Sequence, residues 1–244
     1  MAGAYDEQAR DIEGSGEASD YPLVAREVNP TGSRVDVGHV EFGAERFVVV
    51  AGPCAIESEE QIERIAELVS NHGAAVLRGG AFKPRTSPYS FQGLGLEGVE
   101  LMRSAALRHE MPIVTEVLAV DDIDEMEPRV DAFQVGARNM QNFDLLRALG
   151  EVDKPLILKR NFGATLREWL LAAEHVARAG NSEIILCERG IRTFDEATRF
   201  TLDLAGAIWV KEESHLPVII DPSHATGLPE LMPKLARSSA AAGL

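Results

Sequence analysis

Seven short apolar runs in this 244-residue chain are each followed directly by side chains that could do chemistry. In order, the groups are Gly52-Pro53-Cys54, Arg78-Gly79-Gly80, Glu116, Gly136-Ala137-Arg138, Lys159-Arg160, Glu188-Arg189-Gly190 and Asp221-Pro222-Ser223-His224. If Arg78, Lys83, Arg85, Arg138, Lys159 and Arg189 meet, they form a site for a ligand with more than one anionic group. Guanidinium forks match phosphate bidentately, and an ammonium acts as a compact point charge. The competing reading, for each cation taken singly, is an ion pair with a nearby Glu or Asp. Cys54 and His224 supply a thiolate and an imidazole, which suit a divalent Zn, Fe, Co or Mn ion. Three other readings stay open for them: Cys54 as a small core hydrophobe, His224 as a helix cap, or a thiol nucleophile activated by the imidazole. Arg160 directly follows Lys159 and so faces the other side of a strand, where its role is structural. Cys187 lies inside an apolar run and reads as core.

The elements that must position these groups are also legible. The apolar runs at 47–51, 74–77, 112–115, 132–135, 155–158, 183–186 and 217–220 are continuous rather than alternating, as strands covered on both faces require, so the sheet is expected to be parallel. Helical patterns lie between them. Ser58 with Gln61, and Thr165 with Glu168, read as capping boxes, and Gly73 and Gly180 as the corresponding stops. Alternating strands and helices predict an α/β fold, either a closed barrel or an open doubly wound sheet. No Gly-rich dinucleotide fingerprint follows the first strand, which favours a TIM (β/α)8 barrel. In such a barrel all strand ends meet at one rim, where the active site lies. The count reaches seven strands where eight are needed, so the eighth strand and helix are expected to be missing. Residues 34–50, around Gly38 and Gly43, predict an N-terminal β-hairpin. The expected organisation is a disordered acidic tail over 1–20, an N-terminal extension with the hairpin over 21–45, and a C-terminally incomplete barrel over 46–244.

Composition sets the outer limits. The formal charge of −15 argues against nucleic acid and anionic membranes as partners, because both need Lys and Arg to neutralise them. With two cysteines a disulfide framework is excluded, which fits a reducing compartment. No stretch approaches the ~20 apolar residues of a membrane span. A cytoplasmic protein and a homo-oligomer are expected.

The motifs together resemble the 3-deoxy-7-phosphoheptulonate (DAHP) synthases of class I. They are Ala51-Gly52-Pro53-Cys54 with Ile56-Glu57-Ser58, the long run from Arg78-Gly79-Gly80 through Lys83-Pro84-Arg85-Thr86-Ser87-Pro88, Gly136-Ala137-Arg138, Lys159-Arg160, Glu188-Arg189-Gly190, and the run from Asp221-Pro222-Ser223-His224 to Gly227. The similarity runs from about Tyr21 to the last residue. The related octulosonate-phosphate and sialic acid synthases differ at Lys-Pro-Arg-Thr-Ser. The resemblance implies a metal-dependent aldol-type condensation of phosphoenolpyruvate with erythrose 4-phosphate, the first step of the shikimate pathway. It implies that Arg78, Lys83, Arg138, Lys159 and Arg189 hold phosphoenolpyruvate, that Arg85 and Thr86 hold erythrose 4-phosphate, and that Cys54 and His224 are metal ligands. Lys83, Glu116, Asp221 and His224 form the expected catalytic set, Glu116 also reading as a rim carboxylate paired with an arginine. Family members take two further metal ligands, a Glu and an Asp, from on and after the eighth strand, which places them beyond Leu244. Asn161 stands where the family commonly has Gly. The alternatives are a truncated, non-catalytic phosphate-binding member, or a synthase using a different aldose phosphate such as arabinose 5-phosphate.

Overall fold

A computed structural model describes residues 19–84 and 87–244. The expected acidic tail falls almost wholly outside these residues, as do Arg85 and Thr86. After a short 3-10 helix at Arg26–Val28, the first strands are β1 (Val35–Val37) and β2 (Val40–Phe42), an antiparallel hairpin pairing Val35 with Phe42. Next come β3 (Val50–Ala51), α1 (Glu59–Asn71), β4 (Val76–Gly79), α2 (Leu96–Arg108), β5 (Ile113–Glu116), the short α3 (Ile123–Met126) and β6 (Ala132–Val135). The chain continues through α4 (Phe143–Gly150), β7 (Leu156–Lys159), α5 (Leu166–Ala179), β8 (Ile184–Glu188), α6 (Leu204–Glu213), β9 (Val218–Ile220), α7 (Pro222–Thr226) and α8 (Met232–Ala241).

Strands β3 to β9 form one parallel sheet in sequence order, the arrangement of a (β/α) barrel, with seven strands among the described residues and β3 and β9 as its edges. The two-residue period of a strand divides its side chains between two cores. Leu77, Ile113, Phe133, Leu158 and Leu186 point outward onto the helices, where Trp169 and Leu170 of α5 and Met102 of α2 are fully buried. Val76, Val114, Ala132, Ile157 and Ile185 point inward, and the sheet curls so that all of them meet Val35, Val37, Val40 and Phe42 of the hairpin. The hairpin thus plugs the barrel at the strand starts. Cys187 belongs to this interior cluster, as its place in an apolar run predicts.

The helix caps hold with one correction. Thr165 and Glu168 make the full reciprocal capping box, and Gly180 ends α5 at φ 127°. Ser58 accepts from the Gln61 amide, but the Gln61 side chain accepts from Glu57 N at 3.0 Å rather than from Ser58, and donates to Ala55 O at 3.2 Å. The box is therefore shifted one residue upstream and ties α1 to the loop that carries Cys54. No described helix is long and apolar enough to cross a membrane.

Candidate active site

Moving two residues along each inward-facing row changes its chemistry. Val76 leads to Arg78, Val114 to Glu116, Ala132 to Gln134 and Gly136, Ile157 to Lys159, and Ile185 through Cys187 to Arg189. The apolar half contacts the hairpin, and the polar half lines a cavity of about 420 Å3 at the C-terminal ends of the strands. Cys54, Arg78, Lys83, Glu116, Arg138, Lys159, Arg189 and His224 all line it, so every described site residue of the sequence reading does so except Asp221. Asp221 is joined to the site through its carboxylate, which accepts from Lys159 Nζ at 2.6 Å and from His224 Nδ1 at 2.7 Å. Arg160 turns away, as expected, and pairs with Glu188 at 3.1 Å and Asp203 at 2.7 Å behind the sheet. Sequence reasoning missed Gln134, Phe162, Arg199 and Phe200. The two-residue register signals Gln134, but nothing local marks Arg199, which lies ten residues past Arg189.

Ion pairing does not account for the guanidinium groups. No described carboxylate lies within 4.0 Å of Arg78, Arg138, Arg189 or Arg199, in a chain whose formal charge is −15. Arg78 donates to Pro53 O at 2.8 Å and Arg138 to Pro84 O at 3.5 Å, bonds that orient the cations and leave their charge unneutralised. Arg189 is buried, its Nη1 has no hydrogen-bond partner, and its burial pulls its pKa below the ordinary arginine value. A buried donor without a partner is costly unless an anion completes it. Lys83 is also buried, donating to Cys54 O at 2.6 Å and lying 3.3 Å from Cys54 Sγ.

Glu116 corrects one expectation. It pairs with no described arginine; its Oε2 accepts from Gln134 Nε2 at 3.3 Å. Its Oε1 fills the space beside Gly136, where a Cβ would approach to 2.0 Å, so any larger residue there would have to push this carboxylate aside.

Cys54 Sγ and His224 Nε2 are 3.6 Å apart. These two donors, from the first and last strands of the sheet, come together, and the competing reading of Cys54 as a core hydrophobe fails because it is exposed. The hydrogen bond with His224 lowers the Cys54 pKa most, burial opposes this, and the Lys83 charge adds to the lowering, so the thiol is brought down to about 6. His224 is raised, chiefly by its bond to Asp221. Burial would raise Asp221, but Lys159 and His224 outweigh it and hold the carboxyl well below the usual range. These residues fit a divalent cation. Bonds of ~2.3 Å from sulfur and ~2.1 Å from nitrogen to a tetrahedral ion put the two donors about 3.6 Å apart, and a carboxylate on Nδ1 turns Nε2 toward a metal. No group of three or more His, Cys, Asp or Glu suited to a metal occurs among the described residues.

Fold and site together define a (β/α)-barrel protein with a strongly cationic, unneutralised pocket at the strand C-terminal rim. Within that class, the chain belongs to the DAHP synthetase I family, whose model matches residues 29–244. It is 49% identical over 223 residues to a phospho-2-dehydro-3-deoxyheptonate aldolase of Thermotoga maritima, a match covering 91% of this chain and 66% of that protein. A 2-dehydro-3-deoxyphosphooctonate aldolase of Syntrophobacter fumaroxidans is 32% identical over 194 residues, covering 77% of this chain and 66% of its own length. The crystal structure of the Thermotoga maritima aldolase superposes with a TM-score of 0.89 at 48% identity, covering 92% of this chain and 66% of that one. A truncated form of 3-deoxy-D-arabino-heptulosonate 7-phosphate synthase from the same organism gives a TM-score of 0.85 at 45% identity, over 92% of this chain and 82% of that one. The chain thus spans just under two thirds of the length of the first curated relatives it matches.

Proposed function

We propose that this chain carries the site for condensing phosphoenolpyruvate with erythrose 4-phosphate and water, giving 3-deoxy-D-arabino-heptulosonate 7-phosphate and inorganic phosphate, the first step of the shikimate pathway and of aromatic amino acid biosynthesis. The observation that carries this reading is the set of guanidinium groups without a carboxylate partner among the described residues around one cavity, beside a thiolate and an imidazole 3.6 Å apart.

Arg78, Lys83, Arg138, Lys159 and Arg189 hold the phosphate and carboxylate of phosphoenolpyruvate. Because they are held before the ligand arrives, they stabilise developing oxyanions without reorganising. Arg85 and Thr86 hold erythrose 4-phosphate. The enol C3 attacks the aldehyde carbon, water adds at C2, and the C2–O bond to phosphate breaks. Glu116 accepts from Gln134 and pairs with no described cation, which supports its taking the proton of that water. Lys83 bonds the Cys54 carbonyl, which supports its holding charge where the aldehyde oxygen gains it. Asp221 fixes Lys159 and the His224 ring together. A divalent ion, Mn, Fe, Co or Zn, held by Cys54 and His224, would supply Lewis acidity toward the aldehyde oxygen. A cytoplasmic setting and a homo-oligomer belong to the same reading.

Incubating the chain with phosphoenolpyruvate, erythrose 4-phosphate and Mn2+ is expected to release phosphate, and a chelator to stop it. Binding of phosphoenolpyruvate with no turnover would assign the chain instead to non-catalytic anion binding. A second reading, an octulosonate-type synthase, has support in the phosphooctonate aldolase relatives, but at 32% identity against 49% it is the weaker. Replacing the aldose with arabinose 5-phosphate separates the two.

A further inference from the structure

The loop between β8 and α6 carries a feature that the reaction scheme leaves unused. Arg199 lines the cavity, has no described carboxylate or hydrogen-bond partner on its side chain, and stacks over the Phe200 ring with its Cζ 5.5 Å from the centroid. Arg189 approaches the same ring at 4.5 Å. Two guanidinium groups therefore share one aromatic platform, close enough for the Arg199 charge to act with burial in depressing the Arg189 pKa. Like charges repel, and an arrangement that brings them together in a partly desolvated site is stabilised by an anion between them.

Arg199 is not a loosely tethered surface cation. Its amide donates to Thr226 O at 3.0 Å and that of Phe200 to Ala225 O at 2.8 Å, while Ile191 and Thr201 bridge the base of the loop. Gly190, at φ 95°, lets this segment close: a Cβ there would lie 2.8 Å from that of Phe200. The Phe200 ring also stacks with Phe162 at 5.4 Å, which braces it against the loop after β7.

We propose that Arg199 is a further substrate-binding residue, pairing with Arg189 across Phe200 to clamp the phosphoryl group of phosphoenolpyruvate. The inference rests on the reading of the cavity as a phosphoenolpyruvate site and adds a residue to it. The unpartnered Arg189 Nη1 and the exposed Arg199 fork together present donors to more than one oxygen of a single phosphoryl group. A carboxylate offers fewer acceptors to such a pair, which separates this end of the cavity from the Arg78 and Lys83 end.

Titration calorimetry on the whole chain tests this with phosphoenolpyruvate, inorganic phosphate, pyruvate and erythrose 4-phosphate as separate ligands. Arg199→Ala is expected to raise Kd for phosphoenolpyruvate and inorganic phosphate about tenfold, the loss of one charge-assisted hydrogen bond, and to leave pyruvate unchanged. Arg199→Lys should keep part of the affinity, because it retains the charge without the fork. Unchanged phosphoenolpyruvate affinity in Arg199→Ala, an equal loss for pyruvate, or a loss for erythrose 4-phosphate alone would each overturn the proposal. If the unmodified chain binds neither phosphoenolpyruvate nor phosphate, the reading of the cavity falls and takes the clamp with it. That failure is distinct from one in which the unmodified chain and Arg199→Ala bind equally well.

Discussion

Two thiols in one chain sit in opposite environments, and their reactivity should diverge accordingly. Cys54 is exposed and lowered to about 6 by His224 and Lys83, whereas burial raises Cys187 to about 12. Since the thiolate is the nucleophile, its fraction at Cys54 rises as pH passes upward through 6. Iodoacetamide should label Cys54 in the metal-free chain with a midpoint near pH 6 and leave Cys187 untouched, as mass spectrometry across a pH series would show. A midpoint near the free-thiol value would mean that His224 and Lys83 do not act on it. Asp221 offers a second check at this scale. Its bond is the largest cause of the raised His224 pKa, so Asp221→Asn should lower that pKa, visible as a downward shift of the ring's titration midpoint in NMR. An unchanged midpoint would remove Asp221 from the account of how the ring is held. The cationic and thiol residues were legible from their positions after apolar runs. That Arg78 and Arg138 lack carboxylate partners among the described residues was not, because sequence spacing is silent about which acidic groups come near.

At the scale of elements, the two-residue strand period explains both the site and what sequence could read of it. It separates Lys159, facing the cavity, from Arg160, paired with Glu188 behind the sheet, and that division follows from adjacency alone. The same period makes Gly136 an inward position where Glu116 Oε1 already fills the space of a Cβ. Gly136→Ala should therefore push the Glu116 carboxylate aside and slow phosphate release by about tenfold or more, with the fold retained by circular dichroism; wild-type turnover would contradict the geometry. Helix starts were legible where cap and third residue pair directly, as at Thr165 and Glu168, and less so at Ser58, where the Gln61 side chain bonds Glu57 instead. Arg199 and Phe200 escaped notice because a loop position carries no period, and their place at the cavity depends on bonds to Ala225 and Thr226.

For the whole molecule, the interior is divided between a dry half and a charged half, and the hairpin makes the first of these. Phe42 is 2% exposed and lies among inward-facing valines and isoleucines of the sheet. Phe42→Ala should cost about 3 kcal/mol or more in urea unfolding, typical of a large aromatic removed from a packed core, whereas a cost below 1 kcal/mol would mean that the hairpin is only loosely seated. With that half filled by side chains, charge is confined to the rim, where cations collect in an otherwise acidic chain. The order of elements, the parallel sheet, the hairpin and most of the cationic set were determined by sequence alone, because continuous apolar runs, caps and strand ends are local properties. Tertiary structure decided which of those charges stay unneutralised, that Cys54 and His224 meet at 3.6 Å across 170 residues, and that Arg199 joins Arg189. Those outcomes depend on how far the sheet curls and where distant loops are bonded, and such long-range geometry leaves no periodic trace in the chain.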